Sequence, residues 1–494
     1  MRHQLFSFIH QLNKQEKRYF KLYASQLAGE EGNMYTHLFD LIESNENIDE
    51  EYIKELYCKK FDPKTYISTK FYLKVKLLET LRSMQIHTQP TVEQEVQQLM
   101  ENAFLFHQKN FVTLCEREIL KAEKLAEETE HWNLLYNVIE KKLSFYYDIF
   151  MNGKNCNIEN VQKIIEKKND TLLRLQEDSS VLNVLYEVKM YLKKWTEDSH
   201  TYMEQLLQLP IMQHPPQSIL TQINFYVTKA IIYKYLVNNE QYSQCYQKVF
   251  DLWQQSSIIK QTDVKGYLMH CSNYVTSLII VQKVEKAEQV LEKLQNEIPE
   301  LKKHLVDTQD VYPPILHAQK VTYLHSSNYT ALIGMEKKVA PFLVVGNPYF
   351  PKTAITEIHY AIAYAYFKTH QYDKSLTHLN KVIHNKDLLS NCSVFYIGCF
   401  IMVYLLCHYQ LHNTHFLKYE IDRQKEMATQ LNVASYELLH FFKLLNKLCN
   451  YPDNRKKSLI KYLPIFEAYE TNNPKSTIFL SIVDWIKEQL NSME

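Results

Sequence analysis

The stretch IHYAIAYAYFKTHQYDKSLTHLNKVI, residues Ile358–Ile383, decides the fold of this 494-residue chain. Its first half places aromatic and small residues at helical spacing. A polar break at Thr369–Gln371 separates that half from a second one with Tyr372, Leu379 and Val382 on one face. Each half has an apolar stripe that must be covered by a neighbouring element. The stretch therefore predicts a helix, a short turn and an antiparallel second helix.

The same break recurs along the chain at a nearly constant interval. Second helices are predicted to begin near Tyr242, Val284, Tyr329, Tyr372 and Phe416, at spacings of 42, 45, 43 and 44 residues. Upstream, similar breaks occur near Phe111, Ile158 and Tyr202. A fixed period of this size is typical of helical repeat arrays. The predicted fold class is all-α, a right-handed α-solenoid of about eight to nine antiparallel helix pairs, with residues 478–490 as a closing cap.

The composition argues against catalysis. With only 7 Gly, the chain is expected to contain few positive-φ turns. No GxxxxGK, GxGxxG, HExxH or GxSxG motif occurs, so no catalytic residue, no enzyme activity and no cofactor are predicted. Lys+Arg and Asp+Glu balance at 56 each, so the net charge gives no general attraction to nucleic acid or to an anionic membrane.

Cysteine usage and hydropathy indicate the compartment. The nine cysteines are odd in number and scattered, which is typical of free thiols in a reducing cytoplasm. The apolar part of the first twenty residues is too short for an export signal. The most apolar stretch, Val394–Cys407, has 14 residues, whereas about 20 are needed to span a bilayer. A buried helix, a cytoplasmic location and no membrane partner are therefore expected.

The residues of the 358–383 unit resemble a tetratricopeptide repeat. The matching positions are Ala363, Tyr366, Tyr372, Ser375 and Leu379. Val382 replaces the family's usual Ala, and its Trp, Gly and terminal Pro are missing. The period also exceeds the 34 residues of that repeat. The segment LNKQEKRYFKLY, residues 12–23, is similar to one in bacterial tetratricopeptide-like proteins that have no established activity.

This resemblance implies that the first helices bind a protein or peptide in a concave groove. The ligand-facing positions it implies are Lys234, Asn238, Ser272, Thr276, His317, His325, Tyr360, Tyr364 and Lys368. The alternative for Tyr360 and Tyr364 is plain packing. The groove is either open or filled by the chain's own loop Ala340–Lys352. The leading hypothesis is a non-catalytic scaffold or adaptor, and the sequence leaves its partner and its oligomeric state open.

A division near residue 90 is predicted, with a small helical domain at 1–90 and the repeat array at 91–494. The small domain is expected to hold helices at 6–25, 34–43, 50–60 and 66–84, as a cap or in a winged-helix-like form. Its last helix is basic and amphipathic, and Lys70, Lys74 and Arg82 are candidate nucleic-acid contacts. The alternative is that these side chains pair with the acidic segment 30–51. The second hypothesis is therefore a transcriptional regulator, with DNA bound by 1–90 and a peptide sensed by the array.

A weak metal candidate lies in the segment CHYQLHNTH, residues 407–415. If one helix carries His408 and His412, their spacing lets both imidazoles reach one zinc ion, with His415 following. The alternative is a helix end, where histidines interact favourably with the negative end of the dipole. No metal is predicted on balance, because no carboxylate or further cysteine joins the three histidines.

Overall fold

The computed structural model describes residues 4–27, 34–45, 50–88, 90–151, 158–191, 199–305, 307–344, 347, 349–390, 392–472 and 480–493. Every regular element within these ranges is a helix. The chain divides into two compact units, Met1–Gln176 and Glu177–Glu494. The division therefore falls inside a long helix and not at residue 90.

The first unit contains two separate hydrophobic cores. Its helices are α1 (Gln4–Gln11), α2 (Lys14–Leu27), α3 (Met34–Ser44), α4 (Glu50–Cys58), α5 (Tyr66–Thr88), α6 (Val92–Gln108), α7 (Val112–Glu128), α8 (Trp132–Met151) and the first part of α9 (Ile158–Tyr191). One core joins α1 to α5, and the other joins α6 to α9. The first 88 residues thus have a core of their own, and their described part shows helices with no β-wing.

The single helix predicted over residues 6–25 is wrong, because a cap at Asn13 divides it. The side chain of Asn13 accepts hydrogen bonds from the backbone N–H groups of Gln15 and Glu16, each at 2.9 Å. The Glu16 carboxylate accepts in turn from the Asn13 N–H at 2.8 Å. This reciprocal capping box begins α2 and ends the preceding turn.

The second unit is an array of helix pairs. Its helices after α9 are α10 (Ser199–Leu207), α11 (Ile219–Tyr235), α12 (Asn239–Trp253), α13 (Ser257–Thr262), α14 (Val264–Ile280), α15 (Val284–Leu301), α16 (Tyr312–His325), α17 (Tyr329–Val339), α18 (Lys352–Lys368), α19 (Tyr372–Ile383), α20 (Lys386–Leu389), α21 (Val394–Gln410), α22 (Thr414–Gln430), α23 (Tyr436–Asn450), α24 (Arg455–Asn472) and α25 (Ile482–Asn491). The pairs are α11/α12, α14/α15, α16/α17, α18/α19, α21/α22 and α23/α24. First helices of successive pairs also touch, from α14 to α16, α18, α21 and α23. The second helices begin within three residues of the predicted positions.

One turn geometry recurs between helices. A residue other than glycine adopts left-handed φ, between 53 and 62°, at Asn110, Glu130, Val237, Gln282, Ser327, His370, His412 and Asn432. At the turn after α18, the His370 N–H bonds the Phe367 carbonyl at 3.0 Å and the Gln371 N–H bonds the Tyr366 carbonyl at 2.8 Å. These two bonds define a Schellman cap. The expectation that few positive-φ residues occur in this glycine-poor chain is wrong, because the recovered hydrogen bonds offset the backbone strain.

Two first helices are buried on all sides. In α18 every residue from Ile358 to Phe367 is buried, and in α21 every residue from Cys399 to Cys407 is buried. The buried helix predicted at Val394–Cys407 is thus confirmed over residues 399–407. Within the described ranges, no helix combines the length and the apolar character needed to cross a bilayer.

The described part of the loop Ala340–Lys352 folds back onto the array. The rings of Phe342 and Phe350 are both buried, with centroids 5.3 Å apart, and Phe342 also packs on Tyr312 at 5.0 Å. Residues 345, 346 and 348 lie outside the described ranges. The aromatic side chains of this loop therefore have a packing role.

The turn at Val237 predicts a stabilising substitution. A β-branched residue is strained at left-handed φ, whereas asparagine tolerates it, and Val237 is 69% exposed, so little burial is lost. We expect Val237→Asn to raise the free energy of unfolding of the second unit by about 1 kcal/mol. Urea denaturation followed by circular dichroism measures this change. The reciprocal control, Asn110→Val, should destabilise the first unit by a similar amount. A loss of stability in Val237→Asn would contradict the strain argument.

Candidate partner-binding face

The left-handed residue of each turn gives the first helices a common register. Seven of the nine implied ligand-facing residues fall at equivalent positions in that register. These lie ten, six and two residues before the left-handed residue, as three sets: Ser272, His317 and Tyr360; Thr276 and Tyr364; His325 and Lys368. We call the surface formed by these seven residues the first-helix face.

The two remaining predicted residues are outside this register. Lys234 lies three residues before the left-handed Val237, and its ammonium group is 5.9 Å from the centroid of the Tyr242 ring. Asn238 lies beyond the first helix and caps α12, where its side chain accepts a hydrogen bond from the Gln241 N–H at 3.2 Å. Asn238 therefore has a structural role, whereas the exposed Lys234 stays a candidate for ligand contact.

Polar side chains from three first helices converge on His317. The Thr276 hydroxyl of α14 is 3.4 Å from Nε2 of His317 on α16, and both residues are half-buried. Burial, together with the charges of Lys320 and of Lys234 on α11, lowers the pKa of His317 to about 3. The imidazole is therefore neutral near pH 7, with one ring nitrogen able to donate and the other able to accept. Such a group suits hydrogen bonding to a peptide.

Ser272 lies deeper under the same region. It is 3% exposed, and its hydroxyl oxygen has no hydrogen-bond partner in the part of the chain that the structure describes. A buried hydroxyl without a partner is uncommon in folded proteins. Burial also lowers the pKa of the half-buried His325 nearer the helix end.

The corresponding positions on α18 are covered. Tyr360 is 0% exposed and packs edge-on against Phe400 at 5.2 Å between ring centroids, and Tyr364 is 5% exposed. Burial therefore favours the packing alternative for both tyrosines. Lys368 remains half-exposed, and its ammonium group is 3.5 Å from the Glu488 carboxylate of α25.

The candidate nucleic-acid residues on α5 do not act as one basic surface. Lys70 forms an ion pair with Glu50, from the acidic segment, and its ammonium group lies 5.3 Å from the centroid of the Phe6 ring. Lys74 and Arg82 are exposed. Large apolar side chains of this helix are exposed as well, with Ile67 at 80% and Phe71 at 70%. The predicted pairing with the acidic segment is thus observed for Lys70.

The premise of the zinc candidate is wrong, because α21 ends at Gln410 and His412 occupies the left-handed turn position. His408 and His412 therefore do not share a helical face. Nδ1 of His408 instead lies 3.1 Å from the Asn413 amide, and its ring packs on Tyr404. Among the described residues no group of three or more His, Cys, Asp or Glu side chains is arranged to hold a metal ion.

Sequence reasoning missed a buried histidine pair between α18 and α19. Nδ1 of His359 and Nδ1 of His378 are 3.0 Å apart, and Nε2 of His378 is 3.1 Å from the Glu336 carboxylate of α17. Burial lowers the pKa of His359 to about 3, with a further contribution from His378. The available signal was that each histidine interrupts an otherwise apolar helix face.

Repeated helix pairs with equivalent turns and a shared register define a tetratricopeptide-like helical-repeat fold, as the residues of 358–383 imply. Among solved structures, the chain is similar to a Signal Transduction ATPase with Numerous Domains protein with a tetratricopeptide repeat sensor from Pyrococcus horikoshii. The TM-score is 0.41 and the sequence identity is 15%; the match covers 95% of this chain and 66% of that protein. No family model and no curated protein matches the chain.

The lowered pKa of His317 predicts a specific pH dependence. The pKa of His317 is about 3 in the folded state and 6.5 in the unfolded state. As the pH falls below 6.5, the unfolded state therefore binds a proton that the folded state does not bind, and the free energy of unfolding decreases. We expect His317→Gln to make the slope of unfolding free energy against pH shallower by about 1.4 kcal/mol per pH unit. Denaturation between pH 6 and pH 4 measures the slope. Thr276→Val, which removes the hydroxyl neighbour but no titrating group, should keep the wild-type slope.

Proposed function

We propose that the chain is a non-catalytic scaffold or adaptor that binds a protein or peptide on the first-helix face. The observation that supports this proposal most directly is the contact between Thr276 of α14 and His317 of α16, two half-buried polar residues on neighbouring first helices. Helical-repeat arrays present extended surfaces of this kind. Half-buried polar groups at such positions stabilise a core less than leucine would, so their placement fits a role in recognition.

The chemistry of this patch suits a peptide backbone with acidic side chains. Neutral His317 can donate and accept hydrogen bonds, and the Thr276 hydroxyl, which donates to the Ser272 carbonyl at 3.0 Å, can accept one. The exposed Lys234 attracts carboxylates. Each neutral hydrogen bond contributes a net 0.5–1.5 kcal/mol or so, hence several contacts along the array are needed for useful affinity. An extended or helical partner that reaches several first helices meets this requirement.

The absence of catalysis and a cytoplasmic location are part of the same proposal. The eight cysteines in the described ranges are free thiols, and most are buried. Burial raises the pKa of several of them, to about 12 for Cys245 and Cys407. A high thiol pKa disfavours the nucleophilic thiolate. These cysteines therefore support a structural role and suit a reducing compartment.

Partner capture tests the scaffold proposal. We expect Thr276→Arg, which places a long cation over the patch, to reduce the recovery of specific partners from native lysate at least tenfold. Gln247→Arg, on the exposed side of the second helix α12, adds the same side chain away from the patch and should leave recovery unchanged. Captured proteins are quantified by mass spectrometry with and without nuclease. Equal recovery of partners by both variants would contradict the proposal that this face binds them.

The regulator alternative makes a different prediction about α5. Since Lys70 is already paired with Glu50 and the apolar Ile67 and Phe71 are exposed on the same helix, we expect no measurable binding of duplex DNA at low salt by fluorescence anisotropy. Binding that weakens with salt and disappears in the Lys70→Glu, Lys74→Glu, Arg82→Glu triple variant would instead establish the regulator. A triple variant that binds as well as the wild type would exclude these three residues.

A further inference from the structure

The last described helix, α25, lies against the first helices of earlier pairs. Its Glu488 carboxylate is 3.5 Å from the Lys368 ammonium group of α18. Its Trp485 indole packs edge-on against Tyr409 of α21, with 5.7 Å between ring centroids. The Arg455 guanidinium at the start of α24 donates to the Gln489 side chain at 2.5 Å. The predicted cap at residues 478–490 therefore contacts α18 and α21 as well as the last pair; residues 478 and 479 are outside the described ranges.

One of these contacts, at Lys368, falls on the first-helix face, and the contact with Tyr409 adjoins it on the next first helix. Lys368 is equivalent to His325 in the register, and Tyr364 is equivalent to Thr276. Burial raises the pKa of Tyr364, and the neighbouring Tyr329 and the Asp484 carboxylate of α25 raise it further, so α25 is within electrostatic range of both positions. At the α18 end of the face, α25 therefore pairs with Lys368 and lies near the buried Tyr364, whereas the equivalent Thr276 on α14 is half-exposed.

The helix α25 has the form of a docked amphipathic ligand. Its buried residues are Ile482, Val483, Trp485 and Ile486. Asp484 and Glu488 lie on the exposed side, toward the rim that carries Lys368. Apolar anchors at i, i+3 and i+4 are the usual pattern of a helix that binds in a groove.

Two buried hydrogen-bond donors where α25 packs on the array have no acceptor in the described part of the chain. Neither the Trp485 indole N–H nor the Arg455 Nε–H, both buried, has an acceptor among the described residues. A buried donor without an acceptor costs roughly 1–3 kcal/mol. A competing helix that carried a carboxylate in place of the Gln489 amide would satisfy the arginine better.

We propose that α25 is a resident occupant of the α18 end of the first-helix face and of the adjoining Tyr409 on α21, and that the partner admitted there is an acidic amphipathic helix that displaces it. The proposal rests on the proposed function of that face. The partner would carry aliphatic and aromatic anchors at the spacing of Ile482, Trp485 and Ile486, and an acid opposite Lys368. A ten-residue helix is unstable alone in water, so α25 unfolds as it leaves the face.

Competition with a tethered helix determines how the test must be made. A segment linked to its own site acts at an effective concentration of about 1 mM, so an added helix of equal affinity binds the wild-type chain weakly. The probe is a fluorescein-labelled peptide LSIVDWIKEQLNSM, residues 480–493, titrated with the full chain. We expect Glu488→Lys in the chain, which replaces the ion pair by repulsion, to raise the affinity for this peptide about tenfold.

Two control variants and a charge swap locate the site. Asn491→Lys adds a cation to the exposed end of α25 and should leave peptide affinity at the wild-type value. Gln489→Glu gives Arg455 a carboxylate acceptor, so it should hold α25 more firmly and slow hydrogen exchange of the α25 amides. A chain with Lys368→Glu should prefer a peptide that carries Glu488→Lys over the wild-type peptide. Circular dichroism of each variant confirms that the array is folded.

The outcomes separate this inference from the scaffold proposal. No gain for Glu488→Lys, with α25 amides as protected as in the wild type, would overturn the idea that α25 is displaceable. Binding that ignores the charge swap would place the peptide elsewhere and overturn the assigned site. If the swap works but Thr276→Arg does not affect partner capture, then α25 is an occupant and the open part of the face is not the scaffold surface.

Discussion

The structure depends on one hydrogen-bonded turn that closes the first helix in five of the six described pairs of the second unit, from α11/α12 to α21/α22. A left-handed residue ends the helix, and two backbone bonds satisfy carbonyl groups that would otherwise have no partner. The second helix begins two residues later at Val284, Tyr329, Tyr372 and Thr414. This constant step aligns each second helix on its first helix, and it gives the first helices a shared register. The ligand-facing positions are equivalent for that reason, despite a sequence period that varies by several residues.

The turns could be predicted from sequence because their signal is local. A short polar break between two apolar stripes, such as Thr369–Gln371, is visible without knowledge of distant contacts. The left-handed conformation of the turn residue was harder to predict, because valine, glutamine and histidine occupy positions usually held by glycine or asparagine. The break at Asn13 was missed because the apolar spacing continues across it, and only the Asn13–Glu16 capping box indicates a new start.

The candidate site was predicted in part, because the sequence identifies a helical face without showing what covers it. Positions such as Thr276 and His317 were predicted from the resemblance to a tetratricopeptide repeat, and the structure places the two side chains together. Tyr360 and Tyr364 belong to a helix with no polar side between Ile358 and Phe367. A helix that is apolar all round must be covered on every side. That pattern predicts covering elements on every side, and the neighbouring helices α16, α17, α19, α20 and α21 supply most of them. The contact of α25 with Lys368 comes from more than a hundred residues away, and no local signal in the sequence connects the two.

The covering of α18 and α21 links stability to recognition in one element. Other helices of the array bury most of their apolar surface, and α25 covers the part around Tyr409. Exposure of that part to water costs free energy, so α25 or another apolar helix is favoured there. The net binding free energy of a partner is therefore the difference between its own interaction with this surface and that of α25. A difference of a few kcal/mol is enough to shift the equilibrium between docked α25 and bound partner. The unpaired Trp485 and Arg455 donors reduce the fit of α25 by an amount of this size. A helix that satisfied all of its hydrogen bonds would keep a partner from binding. A helix with unsatisfied donors still excludes water from the core, and an acidic helix that satisfies those donors can displace it.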